Sequence, residues 1–191
     1  VPAGSTPEGY AWTNKHAGTV FGLQPGTAYE VELFLADPDG GCEVRTLAAQ
    51  TRPVPAAMAG APVIPVDPGS FAAAADAAMP GDVLELAAGV YPTFTFPSDG
   101  TLDAPIVIRA AGAVVIDGEV RLDGRSYVIV EGFTVNGMAR AGIRCAVSSH
   151  VTIRKNKMDQ NQVWGILTGF AEDVVIEENE CSRSVEQHGI Y

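Results

Sequence analysis

Cysteine is scarce in this sequence. The 191 residues include only Cys42, Cys145 and Cys181, and no CxxC pair or Cys/His cluster occurs. An odd and sparse set of cysteines does not make a disulfide framework, and without a Cys/His cluster there is no indication of a zinc site. We therefore expect the three cysteines to behave as small buried side chains.

Positive charge and long apolar runs are scarce as well. Twelve Lys and Arg stand against 23 Asp and Glu, so the formal net charge is −11. Such a chain repels nucleic acid phosphates and anionic membrane surfaces, so we expect neither as a partner. No stretch is long and apolar enough to span a membrane. No signal peptide is visible, although the first residues do not resemble a natural start.

Turn-forming residues are abundant. The chain has 21 Gly and 13 Pro, and 47% of its residues are hydrophobic. The apolar fraction excludes a disordered chain, and the many turn formers favour β structure. These features predict an all-β protein.

Residues 1–53 have the alternation of short β-strands. Tyr29, Val31, Leu33 and Leu35 alternate with other side chains, and DPDGG at 37–41 predicts a turn before an antiparallel return. The spacing L-x-P-x-T-x-Y, which ends at Tyr29, resembles a fibronectin type III domain. The resemblance implies a β-sandwich in which the Tyr29 hydroxyl bonds back to the backbone. Only part of such a sandwich is visible, and we interpret it as a spacer.

Residues 54–68 are rich in Pro and Ala and predict a stiff, extended linker. The segment that follows, PGSFAAAADAAMPGDVLELAAGVY, predicts a helix that Ser70 caps and that ends at Met79, then a strand over 82–86. A short helix, PGD, an apolar strand and GVY in this order resemble the opening of right-handed, single-stranded parallel β-helix proteins. In that family the helix covers the open end of the coil. Residues 69–191 are therefore predicted to be the cap and first coils of a β-helix, truncated at the C-terminus.

An internal repeat supports this fold. The windows VIVEGFTV (128–135), VTIRKNKM (151–158) and VVIEENEC (174–181) align at a period of 23 residues, a length typical of solenoid coils. Alternation within a strand predicts inward columns of Val128, Val151 and Val174, and of the matching residues that follow. Gly142, Gly165 and Gly189 precede a further inward column, Ile143, Ile166 and Ile190.

The stretch GTLDAPIVIRAAGAVVIDGEV (100–120) extends the resemblance. With the features above it resembles the early coils of bacterial β-helix polysaccharide lyases of the chondroitinase B and alginate lyase kind, over about residues 68–191. The resemblance implies a secreted or cell-surface bacterial protein that cleaves an acidic, uronate-containing glycan by β-elimination. In such lyases Ca²⁺ or basic side chains neutralise the substrate carboxylate, and Lys or Arg acts as the base.

The outward positions of the repeat carry the candidate chemistry. One column reads Glu131, Arg154, Glu177, the next Thr134, Lys157, Glu180, and a bend column Gly132, Lys155, Glu178. Opposite charges in adjacent strands, about 4.8 Å apart, predict a cross-strand ladder. The alternative is a glycan site. Its candidate catalytic residues are Arg154, Lys155 and Lys157, and its candidate Ca²⁺ ligands are Asp159, Glu178 and Glu180.

Four further residues complete the candidates. Asn156 and Asn179 fall at the same bend, where amide ladders satisfy turn backbone, so both are predicted to be structural. Trp164 and His188 are the candidate substrate-binding residues. Trp164, like Tyr191, can stack on a sugar ring, and His188 can serve as a base.

Other functions stay open. A glycoside hydrolase would need paired carboxylates on one face, with Asp159 beside Glu178 or Glu180. A non-catalytic adhesin, surface stalk or glycan-binding protein would need no catalytic motif. An open β-helix end exposes strand edges, which predicts end-to-end self-association.

Overall fold

The chain divides between Val54 and Pro55 into two units. The computed structural model describes residues 19–136 and 140–191. We call residues 19–54 the hairpin unit, and the described residues from 55 to 191 the solenoid unit. The helix found in these ranges has seven residues, and no helix there is long and apolar enough to cross a membrane.

The hairpin unit contains the predicted strand, turn and antiparallel return. Strand β1 (Ala28–Ala36) pairs with β2 (Cys42–Gln50) along their full lengths. Gly40 and Gly41 lie in the connecting turn with φ values of 106° and 122°. Glycine adopts this conformation without the steric cost that a Cβ would add.

Tyr29 bonds to the backbone near the start of this hairpin. Its hydroxyl accepts the backbone N–H of Gln24 at 2.7 Å, and the Thr51 hydroxyl donates to the Gln24 carbonyl at 2.6 Å. Residues 19–54 contain two strands and no second sheet. The described part of the chain therefore has the tyrosine contact of the predicted sandwich, and the sandwich itself stays a prediction.

The solenoid unit is built from short parallel strands and one helix. Its strands are β3 (Val63–Val66), β4 (Val83–Leu86), β5 (Gly89–Thr95), β6 (Ile106–Arg121), β7 (Val128–Asn136), β8 (Ala141–Ala146), β9 (Thr152–Arg154), β10 (Lys157–Asp159), β11 (Trp164–Gly169), β12 (Val175–Glu177) and β13 (Glu180–Ser182). Each strand pairs in parallel with strands of the coils before or after it. The predicted β-helix is thus confirmed as a parallel β-solenoid of about five turns.

The strands stack on three faces. The first face holds β3, β4, the start of β6, the start of β7, β9 and β12. The second holds the start of β5, the middle of β6, the end of β7, β10 and β13. The third holds the ends of β5 and β6, then β8 and β11. Long β6 and β7 strands pass from one face to the next, so each coil turns with few loop residues.

The register confirms the predicted coil period in the later coils. Val130 pairs with Ile153, which pairs with Ile176, and each pair is separated by 23 residues. Val130 and Ile153 are fully buried, and Ile176 packs against the same core. The predicted inward column is therefore real, and it forms part of one apolar core that runs along the coils.

A short helix covers the first coils. Helix α1 (Phe71–Ala77) ends two residues before the predicted Met79, because Ala78 is already extended and Met79 precedes a proline, which disfavours helix. The Ser70 side chain makes no cap bond and instead contacts Asp67. Phe71 is 2% exposed and packs edge-on against Tyr91 and Phe94, so α1 buries the apolar interior at this end.

The segment predicted as a linker, residues 54–68, is structured. Val63–Val66 form strand β3, which pairs with β4 as part of the first face. Ala57 and Ala61 pack against the buried side chains of Val83, Val107 and Ile129. Strand β3 has a partner on one side only, and its other edge is open. Pro65 is tolerated there because its missing N–H faces the open edge and breaks no ladder bond. The prediction of a linker for this whole segment is therefore wrong, because its prolines are compatible with an edge strand.

The corners of the coils use left-handed backbone. Nine non-glycine residues in the described ranges have φ between 51° and 57°, and each has a counterpart 23 residues away, as Val147 and Phe170 or Lys155 and Glu178 do. The left-handed conformation costs an L-residue roughly 1–2 kcal/mol. Gly124 and Gly132 occupy two of the same corners one coil earlier, so these corners are set by the coil geometry rather than by residue type.

Gly165→Ala is expected to destabilise the solenoid unit by about 1–3 kcal/mol, the usual cost of overpacking. A Cβ at Gly165 would lie 2.6 Å from the Gly189 carbonyl oxygen and 3.0 Å from Cys181 Sγ. Gly169→Ala, in the same strand, is the matched control, since its Cβ would meet no atom closer than 4.0 Å. Urea unfolding of both variants measures the difference, and equal stabilities would contradict this packing.

Candidate functional site

The first face carries an alternating column of acids and bases. Glu85, Arg109, Glu131, Arg154 and Glu177 pair in register through five successive strands. Arg109 Nη2 lies 2.6 Å from Glu85 Oε1, Arg154 Nε 2.5 Å from Glu131 Oε2, and Arg154 Nη1 3.7 Å from Glu177 Oε1. The ladder predicted for three coils therefore extends over five, and each such pair contributes about 0.2–1 kcal/mol.

Arg154 is held on several sides. Besides Glu131 and Glu177, its Nη1 donates to the backbone carbonyl of Pro55 at 2.9 Å. Its side chain is only 15% exposed. The guanidinium therefore joins the first coils to the central ones, and little of it faces solvent.

Both candidate lysines also have carboxylate partners. On the second face Lys157 Nζ lies 3.1 Å from Glu180 Oε1, and at the bend Lys155 Nζ lies 3.8 Å from Glu178 Oε2. All four side chains are more than half exposed. The three candidate catalytic residues thus lie on neighbouring columns, and each is already paired with an acid of the adjacent coil.

The candidate Ca²⁺ ligands are not brought together. Asp159 accepts Arg183 Nε at 2.8 Å and the Ser182 hydroxyl at 3.0 Å, while Glu178 and Glu180 pair with the lysines. In residues 19–136 and 140–191 no group of three His, Cys, Asp or Glu side chains could hold a metal ion. The residues present here do not fit a Ca²⁺ site, because each carboxylate faces a cation or a hydroxyl of the protein.

Asp159 is expected to titrate far below an ordinary aspartate. The hydrogen bond from the Arg183 guanidinium lowers the pKa of Asp159 to about 2. Because this folded-state pKa lies below the unfolded value, the stabilisation is present above about pH 4 and is lost as the pH falls towards 2. Arg183→Ala should raise the pKa towards the ordinary value of about 3.9, as NMR titration of the carboxyl carbon would show. An unchanged Asp159 titration in the variant would refute the role of Arg183.

Asn156 and Asn179 form an amide ladder at the bend. Asn156 Oδ1 accepts the Phe133 N–H at 2.9 Å, and its Nδ2 donates to the Val130 carbonyl at 3.2 Å and to Asn179 Oδ1 at 3.1 Å. Asn179 Nδ2 donates in turn to the Ile153 carbonyl at 2.7 Å. Asn156 is 1% exposed. These amides hold the turn backbone and are not available to a ligand.

The candidate substrate-binding residues lie on the third face. Trp164 begins β11, and the Arg140 guanidinium carbon lies 5.7 Å from the centre of its ring system. The Tyr191 ring is 5.9 Å from Trp164 and 6.0 Å from His188, to which it is almost parallel. We call Arg140, Trp164, His188 and Tyr191 the aromatic platform. Trp164 is half-buried and the other three side chains are exposed.

Arg140 differs from the other basic residues of the solenoid unit. Within its described residues, every other Lys or Arg has a carboxylate within 4.0 Å: Arg109, Arg121, Arg125, Arg144, Arg154, Lys155, Lys157 and Arg183. Arg140 has no such partner in the part of the chain that the structure describes. Sequence reasoning missed Arg140, because its lack of an acid partner shows only when the coils are stacked.

Few known proteins are similar to this chain. No family model and no curated protein matches the chain. Two solved structures are similar to part of it, the PL6 family alginate lyase AlyGC and an arginine mutant of that enzyme. Their identities to this chain are 18% and 19%, each with a TM-score of 0.36 over 56% of this chain. The chain spans 21% of the length of those lyases.

Proposed function

We propose that the protein is a secreted, carbohydrate-active β-helix protein that binds an acidic glycan, and that its reaction is the β-elimination of a polysaccharide lyase. The observation that supports this is the unpaired Arg140 guanidinium above the Trp164 ring. An aromatic ring offers an apolar surface to a sugar, and a guanidinium pairs with a carboxylate. In a chain of net charge −11, such a local cation is needed to attract a negatively charged sugar.

The chemistry of β-elimination defines what the site must provide. A base removes the proton on the carbon next to the uronate carboxylate, a double bond forms in the sugar, and the bond to the glycosidic oxygen breaks as that oxygen takes up a proton. The negative charge that develops on the carboxylate must be neutralised. In this proposal Arg140 neutralises that charge. Arg154, Lys155 and Lys157 are not assigned as the base, because each is engaged by a carboxylate of the neighbouring coil.

The pairing of those residues supports a second candidate, a non-catalytic glycan-binding protein. Such a protein needs the aromatic platform and no base, and the charge ladder would only stabilise the coils. A glycoside hydrolase has less support, because Asp159, Glu178 and Glu180 all face basic side chains. Paired carboxylates that act as acid and base must instead face the glycosidic bond.

Ultraviolet absorbance of the unsaturated uronate product tests the reaction. Alginate, pectate and chondroitin are incubated with the protein, with and without Ca²⁺, and absorbance is followed over time. A lyase produces a steady rise on at least one of these glycans. Glycan binding without any rise would eliminate the lyase and leave the binding protein. A dependence on Ca²⁺ would reveal a metal requirement that the described residues do not meet by themselves.

A further inference from the structure

We propose that the aromatic platform binds one sugar ring that carries an anionic substituent, with the ring on Trp164 and the anion on Arg140. This inference rests on the proposed function for its choice of a glycan as the ligand. It places binding on the third face, whereas the charge columns lie on the first and second faces and at the bend between them.

The charge balance of the solenoid unit points to Arg140. Its described basic residues otherwise pair with acids of the same or an adjacent coil, so their charges are neutralised within the fold. The Arg140 side chain is exposed and contacts a ring rather than an acid. A cation over an aromatic face at an exposed site gains less than a charge-assisted hydrogen bond provides. An anionic ligand therefore offers Arg140 a stronger partner than any it has here.

The backbone holds Arg140 and Trp164 in fixed positions. The Arg140 carbonyl accepts the N–H groups of Val163 and Trp164 at 3.1 and 3.0 Å. The Trp164 indole Nε1 donates to Gln187 Oε1 at 3.2 Å, which fixes the orientation of the ring. Ala141 and Trp164 pair across β8 and β11. The Arg140 backbone and the Trp164 ring are therefore already placed, and the Arg140 side chain is the main part that a ligand would have to order.

The row of rings suits a sugar better than a more highly charged polymer. The centres of Trp164, Tyr191 and His188 follow one another at 5.9 and 6.0 Å, so three rings lie next to one another here. Nucleic acid bases also stack on such rings, but their binding depends on several phosphate contacts. Arg140, the one described basic residue of the solenoid unit without an acid partner, cannot supply those contacts in a protein of net charge −11. A glycan with one anion per ring requires a single cation.

Tryptophan fluorescence provides the direct test. The sequence has two tryptophans, so Trp12→Phe leaves Trp164 as the only one. Oligosaccharides of alginate carry carboxylates, those of sulfated chondroitin carry both carboxylates and sulfates, and those of dextran are neutral. We expect saturable fluorescence changes with the anionic sugars and much weaker binding of dextran. The ratio of the affinities for the alginate and the chondroitin oligosaccharides shows whether a sulfate binds in addition to the carboxylate.

Substitutions at the platform separate its two parts. Arg140→Gln should weaken binding of the anionic sugars by about ten- to a hundred-fold, the value of one charge-assisted hydrogen bond, with no effect on dextran. Arg183→Gln removes one charge from an ion pair elsewhere in the same unit and should change affinity less than twofold. By calorimetry, Trp164→Phe should retain part of the affinity and Trp164→Ala almost none. Circular dichroism should show all four variants folded.

Three results would overturn the inference. These are equal affinities of the Arg140→Gln and Arg183→Gln variants, dextran binding as tight as alginate binding, and polyglutamate binding as tight as either anionic sugar. The lyase proposal fails separately. Platform binding without unsaturated product would contradict the lyase and leave the platform in place. Product formation that Arg140→Gln does not alter would contradict the platform and leave the lyase in place.

Discussion

Phe71→Ala is expected to destabilise the solenoid unit by about 3–5 kcal/mol, the usual cost of removing a buried aromatic side chain. Phe71 is 2% exposed and lies 5.5 Å from the Tyr91 ring and 4.7 Å from the Phe94 ring. Alanine would leave a cavity between helix α1 and the first coils. The helix has no other large side chain to hold it there, since the rest of its sequence is Ala and Asp.

Urea unfolding followed by Trp164 fluorescence in the Trp12→Phe background measures this effect. Phe170→Ala is the matched control, because the Phe170 side chain is 97% exposed and its removal should change stability by less than about 0.5 kcal/mol. If Phe71→Ala and Phe170→Ala unfold at the same urea concentration, α1 does not cap the core.

Asn156→Ala is expected to destabilise the solenoid unit by about 2–4 kcal/mol, because two buried backbone groups lose their partners. The Phe133 N–H would lose its acceptor and the Val130 carbonyl its side-chain donor. Phe133 and Val130 are 1% and 0% exposed, so water cannot replace the amide without opening the coil.

Amide hydrogen exchange locates this effect. The Phe133 amide should exchange slowly in the wild type and much faster in Asn156→Ala, while amides in the hairpin unit stay unchanged. Asn136→Ala replaces an exposed asparagine of β7 and serves as the control, with an expected change below about 0.5 kcal/mol. A Phe133 amide that stays equally protected would show that the ladder does not hold this turn.

The repeat of the later coils could be predicted from sequence because two simple patterns coincide there. Strand alternation places Val130, Ile153 and Ile176 inward, and the constant spacing of 23 residues aligns them. The earlier coils lack that constant spacing. Glu85 and Arg109 are 24 residues apart, and Arg109 pairs with Glu131 after only 22. A search at one fixed period therefore finds only the last three members of the charge column.

The site could be predicted less well than the fold. Trp164 and Tyr191 were predicted as stacking rings and His188 as a possible base, and the Tyr191 ring lies next to both Trp164 and His188. Arg154, Lys155 and Lys157 stood out because they are basic, yet their acid partners come from neighbouring coils. Arg140 was not predicted, because the lack of an acid partner can be recognised only when the neighbouring coils are known. Residue type indicates chemistry, while stacking decides which charges remain available.

The backbone conformation at the left-handed corners also could not be predicted from the sequence. Val147 and Phe170 have φ values of 56° and 51°, although no sequence rule places such bulky residues there. At this corner only Gly124, one coil earlier, is a glycine, the residue that adopts a positive φ most readily. The coil geometry imposes the left-handed conformation at this corner.

Alginate binding by Arg140→Gln and Lys157→Gln, compared side by side, tests most directly whether the aromatic platform holds the glycan. Both variants lose one positive charge, the first from the aromatic platform and the second from a lysine paired with Glu180. We predict that Arg140→Gln lowers alginate affinity about ten-fold or more, whereas Lys157→Gln binds as the wild type does. Loss of binding in Lys157→Gln with full binding in Arg140→Gln would contradict this prediction, and would place the glycan on the charge columns instead.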